Sequence, residues 1–180
     1  MARSILILGG ARSGKSRLAE ELVAGSGRAP VYLASAGAPQ DTEMAARVAH
    51  HQARRDARWR TVEEPVDLVG ALTREAGPET AILVDCLTLW LANLFGAERA
   101  IEAEVEALCA LIPNLSGPVV FVSNEVGGGI VPENALARAF RDAQGRLNQR
   151  VADAADESFW VVAGRPIRLP REATIDVALE

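Results

Sequence analysis

Short apolar runs alternate along the chain with longer segments in which apolar residues recur at helical spacing. The runs are mostly aliphatic, and they lie at residues 4–8, 30–35, 81–85, 118–124 and 158–162. Because they are apolar throughout, they predict strands that are covered by helices on both faces. A last short run, Ile167-Arg168-Leu169, follows a Gly-Arg-Pro turn and predicts an antiparallel edge strand.

Helical patterns fill the intervals between these runs. The predicted helices lie at residues 17–24, 42–57, 65–72, 88–95, 98–111 and 133–155. Strands that alternate with helices predict an α/β fold with a mainly parallel, doubly wound sheet and right-handed crossovers. The chain has 180 residues and no obvious linker, so we expect a single domain over residues 1–180. In such sheets, ligands bind beyond the carboxyl ends of the strands.

Composition narrows the range of partners. The formal net charge of −5 and the aromatic content of 4% argue against a nucleic-acid surface. No apolar run approaches the ~20 residues of a membrane span, so we expect a cytoplasmic protein with no membrane span. Cys86 and Cys109 form no CxxC pair, and they predict buried, reduced thiols.

A glycine-rich motif, G-x-x-x-x-G-K-S, joins the first apolar run to the first helical pattern. It consists of Gly9, Gly10, Ala11, Arg12, Ser13, Gly14, Lys15 and Ser16. Strand, glycine loop and helix form the setting in which this motif, the P-loop, binds the phosphates of a nucleoside triphosphate. Backbone N–H groups and the helix N-terminus surround the phosphates. We expect Lys15 to reach the β- and γ-phosphates and Ser16 to ligate Mg²⁺.

An acidic residue ends the third apolar run. Asp85 follows Ile82-Leu83-Val84, and an apolar strand that delivers one carboxylate to the Mg²⁺ shell is typical of P-loop proteins. The alternative is a residue that caps the next helix, since many strands end in Asp at a turn. The P-loop upstream favours the magnesium role.

The only two histidines of the chain stand together among arginines. His50 and His51 are accompanied along the sequence by four arginines, Arg47, Arg54, Arg55 and Arg60. Histidine can act as a general base, a metal ligand or a nucleophile, and arginines can hold a triphosphate or a pyrophosphate leaving group. The alternative is a solvated histidine pair within a solvated charge run, and the pattern alone does not separate the two.

Two further candidates stand next to turns. Glu63 could accept hydrogen bonds from a guanine edge, or it could favour the start of the helix predicted at Pro65. Asn124 ends the fourth apolar run and precedes three consecutive glycines at 127–129. Such a loop is typical of close backbone approach to a ligand, whereas the alternative for Asn124 is a simple turn residue.

Six segments together resemble the bifunctional adenosylcobinamide kinase / adenosylcobinamide-phosphate guanylyltransferase family. They read GGARSGKSR at 9–17, DTEMAARVAHHQARR at 41–55, WRTVEEP at 59–65, ILVDCLT at 82–88, VSNEVGGGIVPEN at 122–134 and RDAQGRLNQRVADAADE at 141–157. They occur in the family's order and span nearly the whole chain. The P-loop is shared by many families, whereas the histidine pair together with WRT, NEVG and VPEN is specific.

The resemblance implies a RecA-like P-loop fold and a role in corrinoid cofactor assembly. It implies phosphorylation of adenosylcobinamide with ATP or GTP, followed by attack of His51 on GTP with release of pyrophosphate. The guanylylated enzyme, a homotrimer in this family, would pass GMP to adenosylcobinamide phosphate and give adenosylcobinamide-GDP. Because a P-loop presents the γ-phosphate whereas guanylylation occurs at the α-phosphate, either GTP binds in two poses or His51 moves.

The same resemblance implies a set of site residues. Besides the P-loop, the implied nucleotide contacts are Ala34, Ser35, Ala36, Gln52, Ala53, Arg54, Arg55, Glu63 and Asp85. The implied catalytic residues are His51 and Lys15, and the implied Mg²⁺ ligands are Ser16 and Asp85. Asp85 stands where some members carry Glu, which changes the metal geometry by one methylene.

Two other functions are open alternatives. A monofunctional P-loop kinase for a small molecule would use Lys15, Ser16 and Asp85 without a covalent enzyme intermediate. A motor or nucleotide switch that acts on nucleic acid or on a partner protein is disfavoured by the acidic balance and the few aromatic residues. Guanylyl transfer through His51 distinguishes the leading function from both.

Overall fold

Seven strands form one sheet in a computed structural model that describes residues 3–36 and 55–171. The strands are β1 (Ser4–Gly9), β2 (Ala29–Ala34), β3 (Arg60–Glu63), β4 (Thr80–Asp85), β5 (Val119–Asn124), β6 (Glu157–Val162) and β7 (Arg165–Leu169). Their order across the sheet is β3-β2-β4-β5-β1-β6-β7. Every neighbouring pair is parallel except β6 and β7. The predicted parallel sheet with an antiparallel edge is therefore confirmed.

Helices cover both faces of this sheet. In the described ranges they are α1 (Lys15–Ala24), α2 (Leu68–Glu75), α3 (Leu87–Gly96), α4 (Ile101–Leu111) and α5 (Ala135–Ala154), with a 3-10 turn at Ile112–Asn114. On one face, Ala19 and Val23 of α1 pack against strand residues such as Leu83. On the other, α2 to α5 bury a larger cluster that contains Trp90 and Phe121. The predicted α/β class and doubly wound sheet are confirmed.

The start of β1 is tied to the turn that precedes β6. The Asp156 carboxylate accepts hydrogen bonds from the Ser4 backbone N–H over 2.8 Å and from the Ser4 hydroxyl over 2.9 Å. In return, the Asp156 N–H donates to the Ser4 carbonyl oxygen over 3.0 Å. These bonds satisfy backbone groups at the end of the sheet opposite the P-loop, where the pairing of β1 with β6 begins.

Three helices begin two or three residues later than predicted, each for a local reason. The helix predicted from residue 98 begins at Ile101, because Glu98 has a left-handed backbone with φ of 51°. The helix predicted from Pro65 begins at Leu68, because the Asp67 side chain accepts from the Gly70 N–H and caps it there. The long helix begins at Ala135 rather than at residue 133, because the Asn134 side chain caps it.

Two further differences concern the segment before β4. The sequence pattern predicts no strand at Arg60–Glu63, yet these residues form β3 and pair with β2 at the edge of the sheet. The helix predicted over 42–57 does not include residues 55–57, which are not helical. The remainder of that predicted helix, residues 42–54, lies outside the described residues.

The sheet order brings three chain segments to one edge. The P-loop follows β1, Asp85 ends β4, and β5 lies between these two strands. Because neighbouring strands lie about 4.8 Å apart, the ends of β1 and β4 are separated by roughly 10 Å. This is the edge at which the sequence predicts a ligand, beyond the carboxyl ends of the parallel strands.

Candidate functional site

The P-loop has a conformation that requires glycine at two positions. A Cβ added at Gly9 would come within 2.5 Å of Ser13 Oγ and within 2.8 Å of the Val161 carbonyl oxygen. Gly14 has φ of 97°, a backbone that favours glycine, and its Cβ would lie 3.1 Å from Gly164 Cα. The loop is therefore closely packed against the end of β6 and the β6–β7 turn.

Polar groups inside the loop are arranged as a cradle. The Ser13 N–H donates to the Gly10 carbonyl oxygen over 3.3 Å, and the Ser13 carbonyl oxygen accepts from the Gly164 N–H over 2.8 Å. The Ser13 hydroxyl is buried and has no hydrogen-bond partner among the described residues. A phosphate oxygen is the kind of acceptor that this hydroxyl and the α1 N-terminus lack.

Lys15 begins α1 and extends back over the loop. Its side chain is 9% exposed, and its Nζ donates to the Gly10 carbonyl oxygen over 3.0 Å. Burial lowers the pKa of Lys15, while the nearby Cys86 and Asp85 act in the opposite direction. A buried ammonium group that donates to a backbone carbonyl oxygen can be redirected to a phosphate, where it gains a full opposite charge.

Asp85 presents its carboxylate at the end of β4, where Tyr32 of β2 approaches it. The Tyr32 hydroxyl lies 3.4 Å from Asp85 Oδ2. Burial raises the pKa of Tyr32, and the Asp85 carboxylate adds to this effect. Burial also raises the pKa of the Cys86 thiol to about 12, so this neighbouring cysteine stays protonated at neutral pH.

The donors near Lys15 fit a hard divalent cation. Asp85 offers a carboxylate and Ser16 a hydroxyl, and both are the oxygen ligands that Mg²⁺ prefers. Within residues 3–36 and 55–171, no group of three His, Cys, Asp or Glu side chains could hold a metal by itself. Such a cation would therefore complete its shell with phosphate oxygens and water, as Mg²⁺ commonly does in nucleotide sites.

Arg55 lies against the ring of Tyr32. Its Cζ is 3.5 Å from the ring centroid, in a cation–π contact. It follows directly on His51, Gln52, Ala53 and Arg54, which lie outside the described residues, as do His50 and Arg47. Of the four arginines considered in the sequence, Arg60 forms an ion pair with Glu75 instead.

The predicted contacts at the end of β2 have different surroundings. Ser35 is fully buried, and its hydroxyl donates to the Cys86 carbonyl oxygen over 2.6 Å and accepts from the Cys86 N–H over 2.8 Å. It thereby joins the ends of β2 and β4. Ala34 and Ala36 are half-buried on either side of it. A nucleotide contact at these three residues stays a prediction.

Glu63 and Glu64 differ sharply although they are adjacent. Glu63 ends β3 opposite Ala34, and it is exposed. The Glu64 carboxylate accepts from the Val66 N–H over 3.1 Å and from the Asp67 N–H over 2.9 Å, so it shapes the turn before α2. Of the two carboxylates, Glu63 is therefore the more accessible to a ligand.

Two residues at this edge carry little or no signal in the sequence. Tyr32 is the only tyrosine of the chain, and it stands in an otherwise aliphatic run, which is a weak signal for a polar role. Gly164 belongs to a turn that packs on the P-loop, and nothing in the local sequence indicates which segment such a turn contacts.

Comparison with known proteins decides the family. A family model described as "Cobinamide kinase / cobinamide phosphate guanyltransferase" matches residues 5–169. The chain belongs to this family. The resemblance inferred from the six sequence segments is thus confirmed.

Relatives of this cobinamide kinase / guanyltransferase chain are similar along almost their whole length. It is 48% identical to the bifunctional adenosylcobalamin biosynthesis protein CobP of Pseudomonas aeruginosa, over 93% of this chain and 97% of that protein. It is 46% identical to the bifunctional adenosylcobalamin biosynthesis protein CobU of Salmonella typhimurium, over 92% and 98% respectively. The CobU protein of Escherichia coli is 41% identical, over 92% and 98%.

A solved structure and the helix lengths complete the comparison. The RadB recombinase superimposes with a TM-score of 0.48 and 14% identity, over 88% of this chain and 73% of that chain. In the part of the chain that the structure describes, no helix combines the length and apolarity needed to cross a membrane.

Proposed function

We propose that this chain catalyses two successive reactions on one corrinoid substrate. It phosphorylates adenosylcobinamide with ATP or GTP, and it then transfers GMP from GTP to adenosylcobinamide phosphate through His51. The observation that carries the proposal is a complete P-loop, with Lys15 beside Asp85, in a chain that matches the family over residues 5–169. The cytoplasmic location stays a prediction.

In the first reaction, a hydroxyl oxygen of adenosylcobinamide attacks the γ-phosphorus of the triphosphate. The bond from that phosphorus to the β–γ bridging oxygen breaks, the nucleoside diphosphate leaves, and the hydroxyl proton passes to solvent. Lys15 and the loop N–H groups stabilise the charge on the phosphate oxygens, because they are held in place before the reaction begins. Ser16 and Asp85 would hold Mg²⁺, which neutralises further negative charge on the phosphates.

In the second reaction, an imidazole nitrogen of His51 attacks the α-phosphorus of GTP and pyrophosphate leaves. The resulting P–N bond is then broken by a phosphate oxygen of adenosylcobinamide phosphate, which restores the imidazole. Gln52, Ala53, Arg54 and Arg55 would line this site, and the cation–π contact of Arg55 with Tyr32 supports its place near Asp85. GTP binding in two poses and a movement of His51 are both compatible with this scheme.

A homotrimer is the proposed assembly. One observation supports contact between subunits. A large part of the apolar surface is exposed on three residues of β6 and β7, namely Trp160, Val162 and Ile167. Trp160 lies opposite Ile167 in the antiparallel pair, so the three share one face of the sheet edge. Sedimentation equilibrium of the wild-type protein measures the assembly directly, and a monomer at all concentrations would contradict it.

The decisive experiment is covalent labelling with GTP. We expect purified protein that is incubated with Mg²⁺ and α-labelled GTP, without corrinoid, to retain acid-labile, alkali-stable label after denaturation. His51→Ala should abolish the label, whereas the matched neighbour variant His50→Ala should retain most of it. Loss of label in His50→Ala alone would exchange the two roles.

The runner-up function, a monofunctional small-molecule kinase, predicts the opposite result. It is favoured by the same Lys15, Ser16 and Asp85 arrangement, because phosphoryl transfer needs none of the histidines. Wild-type protein that binds nucleotide and phosphorylates adenosylcobinamide, but never becomes labelled from α-labelled GTP, would establish this alternative and set aside the role of His51.

A further inference from the structure

A cluster of buried polar side chains joins α5 to β5. Ser123, Gln144 and Asn148 are 0%, 0% and 6% exposed, respectively. Ser123 Oγ donates to Asn148 Oδ1 over 2.7 Å. Gln144 Nε2 donates to Ser123 Oγ and to Asn148 Oδ1, each over 2.9 Å. We call these three residues the α5 polar cluster, and none of them belongs to the site residues assigned above.

The α5 polar cluster is hydrogen-bonded to the backbone of Asn124. Two donors face Asn148 Oδ1, so the Asn148 carboxamide turns its Nδ2 toward the Asn124 carbonyl oxygen, to which it donates over 3.0 Å. On the other side, the Asn124 N–H donates to Thr88 Oγ1 over 2.9 Å. Side chains therefore hold both polar backbone groups of the last residue of β5.

The Asn124 side chain belongs to the opposite face of the sheet. Ser123 faces α5, and because side chains alternate along a strand, Asn124 lies on the face where Val122 packs in the same cluster as α1. Asn124 pairs in register with Gly9 at the start of the P-loop. Its Nδ2 is 4.0 Å from Cys86 Sγ. The carboxamide thus stands between the P-loop and the residue that follows Asp85.

Packing does not explain the α5 polar cluster. Gln144 Oε1 is buried without a hydrogen-bond partner among the described residues, and such an atom lowers stability. Replacement of both partners of a buried hydrogen bond by apolar groups of similar shape can be nearly neutral or stabilising. Apolar residues could therefore fill this space equally well, and what the polar residues add is an oriented hydrogen bond to the Asn124 carbonyl oxygen.

We propose that Asn124 contacts the γ-phosphoryl group during transfer, and that the α5 polar cluster positions Asn124 for this contact. The inference rests on the phosphoryl-transfer half of the proposed function. Asn124 Nδ2 donates to an oxygen of the γ-phosphoryl group, where charge is spread over three oxygens in the transition state. The carboxamide forms no covalent bond and is unchanged by the reaction. A donor fixed beforehand needs no reorganisation as the reaction proceeds.

The first test removes the carboxamide. Nucleotide hydrolysis without corrinoid and phosphorylation of adenosylcobinamide are both measured for wild type and Asn124→Ala. We expect kcat to fall roughly 10²-fold in both assays, as for loss of a transition-state donor. The KM for the nucleotide should change less than about threefold, because the contact strengthens in the transition state. A kcat within threefold of wild type in both assays would overturn the role of Asn124.

The second test removes all polar atoms of the α5 polar cluster, together with the bond from Asn148 to the Asn124 carbonyl oxygen. The triple variant Ser123→Ala, Gln144→Met, Asn148→Leu keeps similar shapes and removes every polar atom of the cluster. We expect a kcat lowered roughly tenfold and an unchanged KM, with a modest loss of Tm at most, because the apolar replacements leave one backbone acceptor, the Asn124 carbonyl oxygen, without its donor. Ser158→Ala is the control, since it removes a buried, unpartnered hydroxyl at the far end of β6. A kcat equal to that of wild type in the triple variant would show that the α5 polar cluster does not position Asn124 and serves packing alone.

A single variant covers the case in which the triple variant does not fold. Gln144→Met removes one of the two donors to Asn148 Oδ1 together with the unpartnered Oε1. It should lower kcat severalfold at constant KM, and an unaltered kcat would overturn the positioning role.

The assays separate this inference from the proposed function. Wild-type protein that hydrolyses nucleotide but never phosphorylates adenosylcobinamide would overturn the proposed function, while the hydrolysis rates of the variants still decide the role of Asn124. Labelling by α-labelled GTP gives a further contrast, because that reaction occurs at the α-phosphorus. Asn124→Ala should reduce labelling less than phosphoryl transfer, and an equal loss would show that Asn124 acts on binding instead.

Discussion

Two adjacent glycines of the P-loop have different tasks. A Cβ at Gly9 would collide with Ser13 Oγ and the Val161 carbonyl oxygen, whereas a Cβ at Gly10 would meet no atom within 4 Å. The motif G-x-x-x-x-G fixes Gly9 and Gly14 and leaves position 10 variable, in agreement with this difference in packing. The packing indicates that Gly9 is needed for the fold, and that Gly10 leaves open the space that a phosphate would enter.

This difference gives a paired prediction for the two glycines. Gly9→Ala should destabilise the protein by about 1–3 kcal/mol, because the methyl group overpacks a closed position. Gly10→Ala should leave the free energy of unfolding within about 1 kcal/mol of wild type, yet weaken nucleotide binding. Urea unfolding and calorimetric titration with ATP measure the two effects. Wild-type affinity in Gly10→Ala would contradict the assignment of the open space to the phosphates.

The two carboxylates Glu63 and Glu64 give a second matched pair. If the exposed Glu63 carboxylate accepts hydrogen bonds from guanine, Glu63→Gln should weaken GTP binding roughly tenfold, or about 1.4 kcal/mol. ATP binding should stay unchanged. Glu64→Gln should lower Tm slightly through the turn before α2, with no change of selectivity. Calorimetric titration with both nucleotides, alongside thermal unfolding, tests this. Equal losses for GTP and ATP in Glu63→Gln would remove it from guanine recognition.

Elements with a continuous apolar core could be predicted from the sequence, whereas their ends and the edge strand could not. The strand predicted at 81–85 is Thr80–Asp85, because its four consecutive buried apolar residues, 81–84, suffice to predict it. The four residues of β3 are mostly exposed, and only pairing with β2 makes them a strand. Likewise, the left-handed backbone of Glu98 follows from how α3 ends, which no periodicity predicts.

The bond between two distant elements, β1 and the turn before β6, depends on pH. The Ser4 backbone N–H lowers the pKa of Asp156, so the ionised carboxylate stabilises the fold. For a carboxyl whose pKa is lower in the folded state, this contribution is present above the unfolded pKa, at about pH 4, and disappears as pH falls through the folded value.

Asp156→Asn should therefore lose stability only where the wild-type carboxylate is ionised. We expect a loss of about 0.5–1 kcal/mol between pH 5 and 7, at the low end for hydrogen bonds because the side chain is exposed. As pH falls below about 4 and through the folded pKa of Asp156, the two proteins should converge. Urea unfolding at several pH values measures the difference, and a constant gap down to pH 2 would show that charge is not its cause.

For the whole molecule, the fold class and the sheet edge that carries the candidate site could be predicted from the sequence. The contacts between side chains that build the site could not. Alternating strands and helices predict the parallel sheet, and the P-loop and Asp85 predict its functional edge. The contact of Arg55 with Tyr32 and the route from α5 to Asn124 join residues far apart in sequence. Such pairings depend on strand order, which one sequence does not reveal.

The larger of the two cores depends on one aromatic side chain. Trp90 is 0% exposed, and its Nε1 donates to the Val66 carbonyl oxygen over 2.8 Å. Trp90→Phe should lower the free energy of unfolding by about 1–3 kcal/mol, since it removes ring volume and a buried hydrogen bond. Trp160→Phe is the matched control, because Trp160 is 43% exposed. An equal loss of unfolding free energy in the two variants, measured by urea unfolding, would contradict the larger contribution assigned to Trp90.

The hydrogen bond between the β6–β7 turn and the P-loop makes the Gly164 amide a probe of local opening. The Gly164 hydrogen is held by the Ser13 carbonyl oxygen, so it can exchange with deuterium only while the loop and the turn are apart. Its exchange rate reports the fraction of time for which the loop and the turn are apart. A triphosphate that closes the cradle would slow that one amide, and the hairpin at the sheet edge would then report nucleotide occupancy from outside the catalytic centre.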